Sequence, residues 1–261
     1  MYRISAVSYL NTKPFIYGIF RSSLSEQIEL TLDIPSVCAQ KLADGRADLA
    51  LAPVAVIPEL TTVNLIADYC IGANGPVRTV CLFSEVPLEE ITHIYLDFHS
   101  RTSVALIQVL CREYWHIHPV FLSAKAGFEQ YISGSTAGLI IGDRAFGYHD
   151  HFPFAYDLSE AWTVWTGQPF VFAAWMSTRK LPEDFIRSFN TALAEGIAHI
   201  PELIKILPDM PPGVDLQAYF QQNIVYEFKS PQKMALNHFL QHISPEKTLL
   251  SANSNLTLQS V

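Results

Sequence analysis

Arg3-Ile-Ser-Ala-Val-Ser-Tyr-Leu-Asn-Thr-Lys-Pro-Phe-Ile-Tyr-Gly18 opens the chain and indicates its fold class. The stretch starts as a short apolar strand and passes into a polar turn, Ser8 to Thr12. A helix is predicted to follow, because Pro14 then falls in a first helical turn, where proline loses no hydrogen bond. Asn11 or Thr12 can cap that helix, whose free N–H groups point back towards the turn. Such a junction predicts a cradle for a small anion, although an ordinary strand–helix junction fits the same residues.

Length and charge limit the classes of function. The chain has 261 residues, of which 49% are hydrophobic and 16% charged, enough for one large domain or two lobes. The net charge is −8 and no basic cluster is present, which argues against nucleic acid as a partner. With only 17 Lys and Arg residues, an anion must be bound by a few placed cations and by backbone donors.

The expected compartment is the cytoplasm. The chain begins directly with a strand, so no signal peptide is predicted. No apolar run reaches the roughly 18 residues that cross a bilayer, so no membrane partner is expected. The four cysteines stand singly in apolar surroundings and predict buried free thiols. A homodimer is left open.

Strands and helices alternate along the chain in two units, which predicts the α/β class. In the first unit, strands are expected at Ile4–Val7, Ile28–Leu32 and Asp48–Pro53, with helices after Asn11 and from Pro35. In the second, strands are expected at Ile94–Asp97, Val120–Leu122 and Gly138–Ile141, with a helix from Ser100 to about Trp115. Two more helices are predicted, one carrying the apolar series Phe185 to Ile200 and one at Gln232–His242.

Two strand-like segments, Arg78–Ser84 and Phe170–Met176, are interpreted as crossings between the units. The chain is therefore predicted to form two lobes joined by two hinge crossings, with a ligand cleft between them. Residues 1–84 and 174–261 are expected to form lobe I, and residues 85–173 an inserted lobe II.

Polar groups at strand ends and helix starts are the candidate site residues, because loops in these places face the cleft of such a fold. Hydroxyl and N–H groups at a helix start, with an arginine among them, suit a carboxylate. The alternative is that Ser100 only caps its helix and that Arg101 is solvated. The candidates are Ser8, Tyr9, Asn11, Pro53, Val54, Arg78, Thr79, Ser100, Arg101, Thr102, Ser103 and Asp143.

Val7-Ser-Tyr-Leu-Asn-Thr-Lys-Pro14 resembles the N-terminal signature of the menaquinone-biosynthesis chorismate dehydratases of the futalosine pathway. The last third of the chain matches only in general helical character. Six further stretches resemble the family in family order: Asp33–Ser36, Leu42–Ala55, Gly75–Thr79, Ser100–Ser103, Ile141–Asp143 and Trp165–Phe170. The resemblance implies the periplasmic-binding-protein type II fold, chorismate as a small-molecule substrate and no cofactor.

The implied reaction is loss of water from chorismate to give 3-[(1-carboxyvinyl)oxy]benzoate. Chorismate has two carboxylates, so two anion sites are expected. The first is Ser100–Ser103, and the second is either Arg78 or the turn that carries Ser8 and Asn11. An ion pair that supports the hinge is the alternative role for Arg78.

No histidine or carboxylate stands in the strongest stretches as an obvious base, and Asp143 fits a helix cap equally well. Our hypothesis is that the enolpyruvyl carboxylate of the substrate removes the ring proton. Asn11, with Ser8 beside it, is then expected to hold that group or the departing hydroxyl.

Other assignments have less support. Two His-x-His pairs, His116/His118 and His149/His151, lack the further ligands of a metal site, so none is predicted. Two rivals to the dehydratase hypothesis remain. One is a non-catalytic solute-binding or sensing protein for a small carboxylate, and the other is a different futalosine-pathway enzyme of the same fold.

Overall fold

The computed structural model describes residues 1–208, 213–244, 247–252 and 255–260, which contain thirteen strands and eight α-helices. The strands are β1 (Tyr2–Val7), β2 (Ile28–Asp33), β3 (Leu49–Pro53), β4 (Asn64–Ala73), β5 (Val80–Ser84), β6 (His93–Leu96), β7 (Val120–Ser123), β8 (Thr136–Ile141), β9 (Phe154–Asp157), β10 (Phe170–Ser177), β11 (Val225–Glu227), β12 (Lys247–Ala252) and β13 (Asn255–Ser260). The helices are α1 (Lys13–Arg21), α2 (Pro35–Ala43), α3 (Arg101–Glu113), α4 (Leu158–Thr166), α5 (Glu183–Ala198), α6 (Ile200–Ile204), α7 (Leu216–Ala218) and α8 (Ser230–Ile243).

The first sheet has the order β11-β4-β10-β3-β1-β2 and forms the centre of the first lobe. Strands β2, β1 and β3 run parallel, whereas β10 lies antiparallel between β3 and β4. Strand β3 reads Leu-Ala-Leu-Ala-Pro and is buried along its whole length, as expected for a central strand covered on both faces. Helix α2 is opened by Pro35 at its first position, as the sequence predicted.

The second sheet has the order β7-β6-β8-β5-β9 and forms the centre of the second lobe. Here β7, β6 and β8 run parallel, and β5 lies antiparallel between β8 and β9. The two sheets therefore share one plan: three parallel strands, then one antiparallel strand, then a further strand, to which the first sheet adds β11 at its edge. In each sheet, the antiparallel strand follows a strand of the other sheet in sequence: β10 follows β9, and β5 follows β4.

The predicted lobe boundaries require correction. Strand β5 lies inside the second sheet, so the boundary expected after residue 84 falls at the end of a strand that belongs to lobe II. Strand β10 begins at Phe170 and lies in the first sheet, so the boundary expected at 173/174 cuts through a strand of lobe I. Both strands are entirely buried between two partners, and the actual crossings are residues 74–79 and 158–169.

Helices α1 and α5 cross at two glycines. A Cβ atom built on Gly196 would lie 1.9 Å from the carbonyl oxygen of Pro14, and one built on Gly18 would lie 1.9 Å from that of Ala192. The two backbones therefore touch without intervening side chains. Because α1 starts at Lys13, directly after the turn Leu10–Thr12 that carries Asn11, this contact fixes how far the polar turn stands from α5.

The cysteines agree with a further prediction. Cys38, Cys70, Cys81 and Cys111 are all buried and unbridged. Burial raises the pKa of the Cys38 and Cys111 thiols to about 12, so both are inert at neutral pH. Within the part of the chain that the structure describes, no helix is long and apolar enough to cross a lipid bilayer.

Candidate active site between the lobes

A cavity of about 50 Å³ lies where the two sheets face each other. Its polar lining consists of Tyr9, Asn11, Thr79, Ser100 and Ser103. Together with Pro53, which also lines it, six of the predicted site residues from four separate stretches of sequence are therefore brought together. The remaining lining is apolar apart from the backbone of Gly142 and comprises Val7, Pro35, Pro53, Ile71, Val77, Val80, Ile141, Phe172 and Ala173.

The start of helix α3 forms one wall. The Ser100 hydroxyl accepts a hydrogen bond from the Ser103 amide at 3.1 Å, so Ser100 caps the helix as the simpler prediction had it. The Thr102 hydroxyl accepts a hydrogen bond from the Ala55 amide at 3.2 Å. Ala55 belongs to the 3₁₀ turn Val54–Glu59 of the first lobe, so Thr102 joins the lobes instead of facing the cavity. Val54 is buried in the same turn, beside Pro53, which does line the cavity.

Arg101 does not line this cavity. Its guanidinium lies 2.5 Å from the Glu59 carboxylate, and both side chains are substantially exposed. Arg101 instead borders a wide groove of about 830 Å³ along the outer side of α3. The placement disagrees with its predicted role as a carboxylate ligand, because the first residue of a helix can point outwards as readily as towards the cleft.

Arg78 and Ser8 are also outside the cavity. Arg78 is exposed and has a φ of 65°, unusual for a residue other than glycine, and its amide donates a 2.6 Å hydrogen bond to Asp157. It borders a separate cavity of about 230 Å³ beside Tyr219 and Asn223. Ser8 is exposed, and its amide continues the β1–β2 pairing by donating to the Asp33 carbonyl at 2.9 Å. Of the predicted pair Ser8 and Asn11, only Asn11 lines the cavity.

Asp143 connects the two lobes. Its two carboxylate oxygens lie 3.0 and 2.9 Å from the Leu10 amide, which donates to them from the 3₁₀ turn Leu10–Thr12. Burial raises the pKa of Asp143, and the Leu10 amide together with the charge of Lys13 offsets only part of that effect. A protein carboxylate thus occupies a backbone donor of the first lobe that an anionic ligand could otherwise use.

His99 is a residue of the cleft that the sequence did not identify. The Tyr9 hydroxyl and His99 Nδ1 are 2.9 Å apart, one from each lobe. Burial raises the pKa of Tyr9, and burial lowers the pKa of His99, so at neutral pH Tyr9 donates to a neutral imidazole. The Tyr9 ring lies over Gly142, where an added Cβ would come within 2.6 Å of it. No local motif around His99 indicated this contact, because its partner Tyr9 lies 90 residues away in the chain.

Asp97 holds the second-lobe side of this contact. It is fully buried and accepts hydrogen bonds from the amides of His99 and Ile141, both at 3.0 Å. The Arg144 guanidinium pairs with Asp97 and, at 2.6 Å, with Glu129. These contacts fix the loop that carries His99.

Tyr219 is the second residue that the sequence did not identify. It is 1% exposed, and its hydroxyl lies 3.2 Å from Thr79 Oγ1. Tyr226 contacts Asn11, which lines the cavity, by donating a hydrogen bond to its backbone carbonyl at 2.9 Å. Both tyrosines come from the last third of the chain, which carried no motif.

The cavity therefore offers neutral donors, not arginines. Hydroxyl, amide and helix-terminal N–H groups can bind a carboxylate in an apolar surrounding, where each hydrogen bond is stronger than in water. A cavity of about 50 Å³ is far below the roughly 300–1,000 Å³ of small-molecule sites, so the lobes must separate to admit a ring-sized ligand.

Comparison with known proteins identifies the family. The sequence profile of a family described as "Menaquinone biosynthesis" matches residues 2–245. This chain belongs to the menaquinone-biosynthesis family. A curated relative in that area of metabolism, the chorismate dehydratase of Thermus thermophilus, is 26% identical over 228 residues, covering 79% of this chain and 83% of the relative. The family resemblance predicted from the sequence is confirmed.

Solved structures confirm the fold of this family member. A protein from Archaeoglobus fulgidus superposes with a TM-score of 0.73 at 15% identity, covering 94% of this chain and 97% of that one. A Candida albicans protein with the generic periplasmic binding protein fold gives a TM-score of 0.66 at 12% identity, with coverages of 92% and 89%. The predicted two-lobed periplasmic-binding-protein fold is thus correct.

Proposed function

We propose that this protein is a chorismate dehydratase that converts chorismate to 3-[(1-carboxyvinyl)oxy]benzoate in the futalosine pathway. One observation carries the proposal: residues from the family-like stretches, among them Asn11, Thr79, Ser100 and Gly142, line a single cavity between the lobes. Family membership and the chorismate dehydratase relative support the choice of substrate.

The chemistry suits a site of this kind. The ring proton at the ether carbon of chorismate is acidified by conjugation with the ring carboxylate, and loss of the neighbouring hydroxyl makes the ring aromatic. The elimination is redox-neutral, so the proposal needs positioned donors and exclusion of water but no electron carrier. An apolar cavity with a few neutral donors can supply both.

We assign the two carboxylates to different walls. One would bind at the start of α3, where Ser100, Ser103 and the free amides of the first turn provide donors. The enolpyruvyl carboxylate would lie near Asn11 and would itself remove the ring proton, so no protein base is required. Asn11 would donate to that carboxylate or to the departing hydroxyl.

Incubation of the pure protein with chorismate tests the proposal directly. We expect loss of the diene absorbance and, by mass spectrometry, a product lighter by one water. Asn11→Ala should abolish turnover while chorismate still binds in calorimetry. Asn190→Ala is a matched control, because the Asn190 side-chain oxygen also accepts one hydrogen bond, from the Asp68 amide, but Asn190 lies outside the cavity.

Other outcomes separate the rival functions. Tight binding of chorismate without turnover would favour a solute-binding or sensing protein. Absence of both binding and turnover would favour a different enzyme of the pathway. Full activity of Asn11→Ala would rule out the assigned role of Asn11.

A further inference from the structure

We propose that His238 and His242 form a binding site for one late first-row transition-metal dication such as Zn²⁺, held between their two Nε2 atoms. Both belong to α8, and four positions separate them, so their side chains lie on the same face of the helix. The two Nε2 atoms are 3.2 Å apart. Neither histidine lines the cavity between the lobes, so this site is separate from the proposed active site.

The other nitrogen of each ring already has a partner. His242 Nδ1 lies 2.6 Å from the carboxylate of Glu113, which belongs to α3 of the second lobe. His238 Nδ1 lies 3.3 Å from Oε1 of Gln168, in the second crossing between the lobes. A carboxylate and an amide oxygen accept hydrogen bonds, so each Nδ1 carries a hydrogen, and the lone pair of each neutral ring is on Nε2.

Two lone pairs at this distance repel each other unless a cation lies between them. One proton can fill that position, when a charged His242 donates from Nε2 to a neutral His238. A metal ion can replace the proton, because two nitrogen ligands with Zn–N bonds of about 2.0–2.1 Å in a tetrahedral site lie about 3.4 Å apart. That separation is close to the observed 3.2 Å. The ring planes are inclined by 50° with centroids 4.9 Å apart, so the rings meet obliquely.

The partners of the two rings match those of metal-binding histidines. Such a histidine almost always donates its second ring N–H to a carboxylate, a carbonyl or water, which fixes the orientation of the ring. Glu113 accepts from His242 in this way, and Gln168 accepts from His238. Imidazole ligands favour Zn²⁺, Ni²⁺ and Cu²⁺, whereas Mg²⁺ and Ca²⁺ prefer oxygen ligands. The pair is therefore selective for the first group of ions.

Solvent can reach the pair and complete the coordination. His242 borders the groove of about 830 Å³ along α3, and its side chain is 17% exposed. Within the part of the chain that the structure describes, no group of three or more His, Cys, Asp or Glu side chains converges on a metal position. Water would therefore supply the remaining ligands, and the affinity should be below that of a structural zinc site with four protein ligands.

Quenching of tryptophan fluorescence by Cu²⁺ tests the site in protein that carries no polyhistidine tag. The ring centroid of Trp162 lies 5.4 Å from that of His238. The ring centroid of Trp165 lies 5.3 Å from that of His242. Copper bound between the histidines should therefore quench the fluorescence in a saturable way. His238→Gln removes one of the two protein ligands and should raise the half-saturating Cu²⁺ concentration more than about tenfold.

The double variant His116→Gln/His118→Gln is the matched control, because these two histidines also stand close together in sequence but are exposed. It should change the half-saturating Cu²⁺ concentration by less than about twofold. Glu113→Gln keeps both ligands but removes the carboxylate that orients His242, and should raise that concentration about tenfold. Unchanged quenching in His238→Gln, or an equal loss in the control, would overturn the proposal.

Zn²⁺ gives a second readout. It should raise the midpoint of thermal unfolding of the unmodified protein but not of His238→Gln, because only the folded pair binds it, and Mg²⁺ should have no effect. If His238→Gln does not fold, ¹⁵N NMR of the unmodified protein replaces it. Zn²⁺ should then shift the Nε2 signals of His238 and His242 before those of His116 and His118. Absence of that selective shift would refute the site. These measurements use no chorismate, so their outcome is independent of the proposed function.

Discussion

Asp48 and Asp143 are both aspartates with little exposure, yet their surroundings act on them in opposite directions. Asp48 lies 2.8 Å from Arg3 and 3.0 Å from Arg179, and the hydrogen bond from Arg3 lowers its pKa despite partial burial. Asp143 has one backbone donor and no arginine, and burial raises its pKa. The first carboxylate stabilises the fold when charged, whereas the second reduces stability when charged.

Asp48→Asn should lower the free energy of unfolding at pH 7 by about 1–2 kcal/mol, since both arginines are half exposed and screened. A lowered folded-state pKa gives stability that is complete above the unfolded value of about 3.9 and is lost as pH falls through the folded value. The difference from the unmodified protein should therefore begin to shrink as pH falls below about 3.9 and should vanish only below the lower folded-state pKa. Urea unfolding of both proteins between pH 3 and 7 measures this difference in the free energy of unfolding.

Asp143→Asn is a control for which no loss of stability at pH 7 is expected, in contrast to Asp48→Asn. A raised folded-state pKa means that keeping the carboxylate charged reduces stability above that pKa, and the loss disappears as pH falls towards the unfolded value of about 3.9. An asparagine can still accept from the Leu10 amide, so stability at pH 7 should be equal or higher. A clear loss at pH 7 would show that the charge itself holds Leu10.

The sequence indicated which residues of several motifs lie in the cleft, but not the direction in which each side chain points. Asn11, Thr79, Ser100 and Ser103 were found because strand ends and helix starts face the cleft in this class of fold. Arg101 was misassigned because a helix start fixes the backbone amides but not which way a long side chain points. Tyr219 and His99 could not be found, since their roles depend on contacts with residues far away in the chain.

At the scale of elements, the contact between α1 and α5 is the least tolerant of change. Gly196→Ala should destabilise the protein by about 2 kcal/mol or more: the new Cβ meets backbone, which cannot rotate away, and the overlap outweighs the roughly 1 kcal/mol gain in helix propensity. Turnover of chorismate should fall as well, because α1 carries the turn with Asn11. Thermal unfolding and the chorismate assay report the two effects.

Gly147→Ala is the matched control for that change. Gly147 also lies in a helical turn, has nothing within 4 Å of a built Cβ and has no positive φ. Its substitution should alter stability by less than about 0.5 kcal/mol. If Gly196→Ala were equally harmless, the helices would have to separate without strain.

Elements whose apolar residues follow a clear pattern were predicted within a few residues. Elements that mix polar and apolar residues without such a pattern were missed. The apolar series Phe185, Phe189 and Leu193 predicted α5, and the uninterrupted apolar run of β3 predicted that strand. Strand β4 was missed because polar Asp68 and Tyr69 interrupt it, and these face the surface next to β11. Helix α4 was missed because its tryptophans showed no helical spacing of apolar residues. The Asp157 side chain caps this helix, and that cap was the available signal.

For the whole molecule, the described structure is a closed state. Hydrogen bonds join the lobes across the cleft, and the cavity they enclose is smaller than any ring-sized ligand. They include those from Tyr9 to His99, from the Leu10 amide to Asp143, from the Ser36 amide to the His99 carbonyl, and from the Ala55 amide to Thr102. Binding therefore requires an open state that the proposed substrate would then close, because a ligand touching both lobes favours the closed form.

Chorismate or its dehydrated product should reduce the radius of gyration in solution scattering. Tyr9→Phe removes one of the joining hydrogen bonds while keeping the ring, so this variant should be more open without ligand and should need more ligand to close. The equilibrium shift expected from one hydrogen bond is about 1 kcal/mol, close to a fivefold change in population. Identical scattering with and without saturating ligand would contradict the hinge interpretation.

The position of β10 has a consequence for the order in which the chain can assemble as it leaves the ribosome. Strand β10 fills the gap between β3 and β4, but it is synthesised only after every strand of the second sheet. The second lobe is contiguous and complete once α4 has emerged, whereas the first sheet cannot close until Ser177 is available. Until then, the strands of the first sheet that are synthesised earlier keep unpaired edges, whereas the inserted lobe can already fold. This order reverses the usual N-to-C order of domain folding.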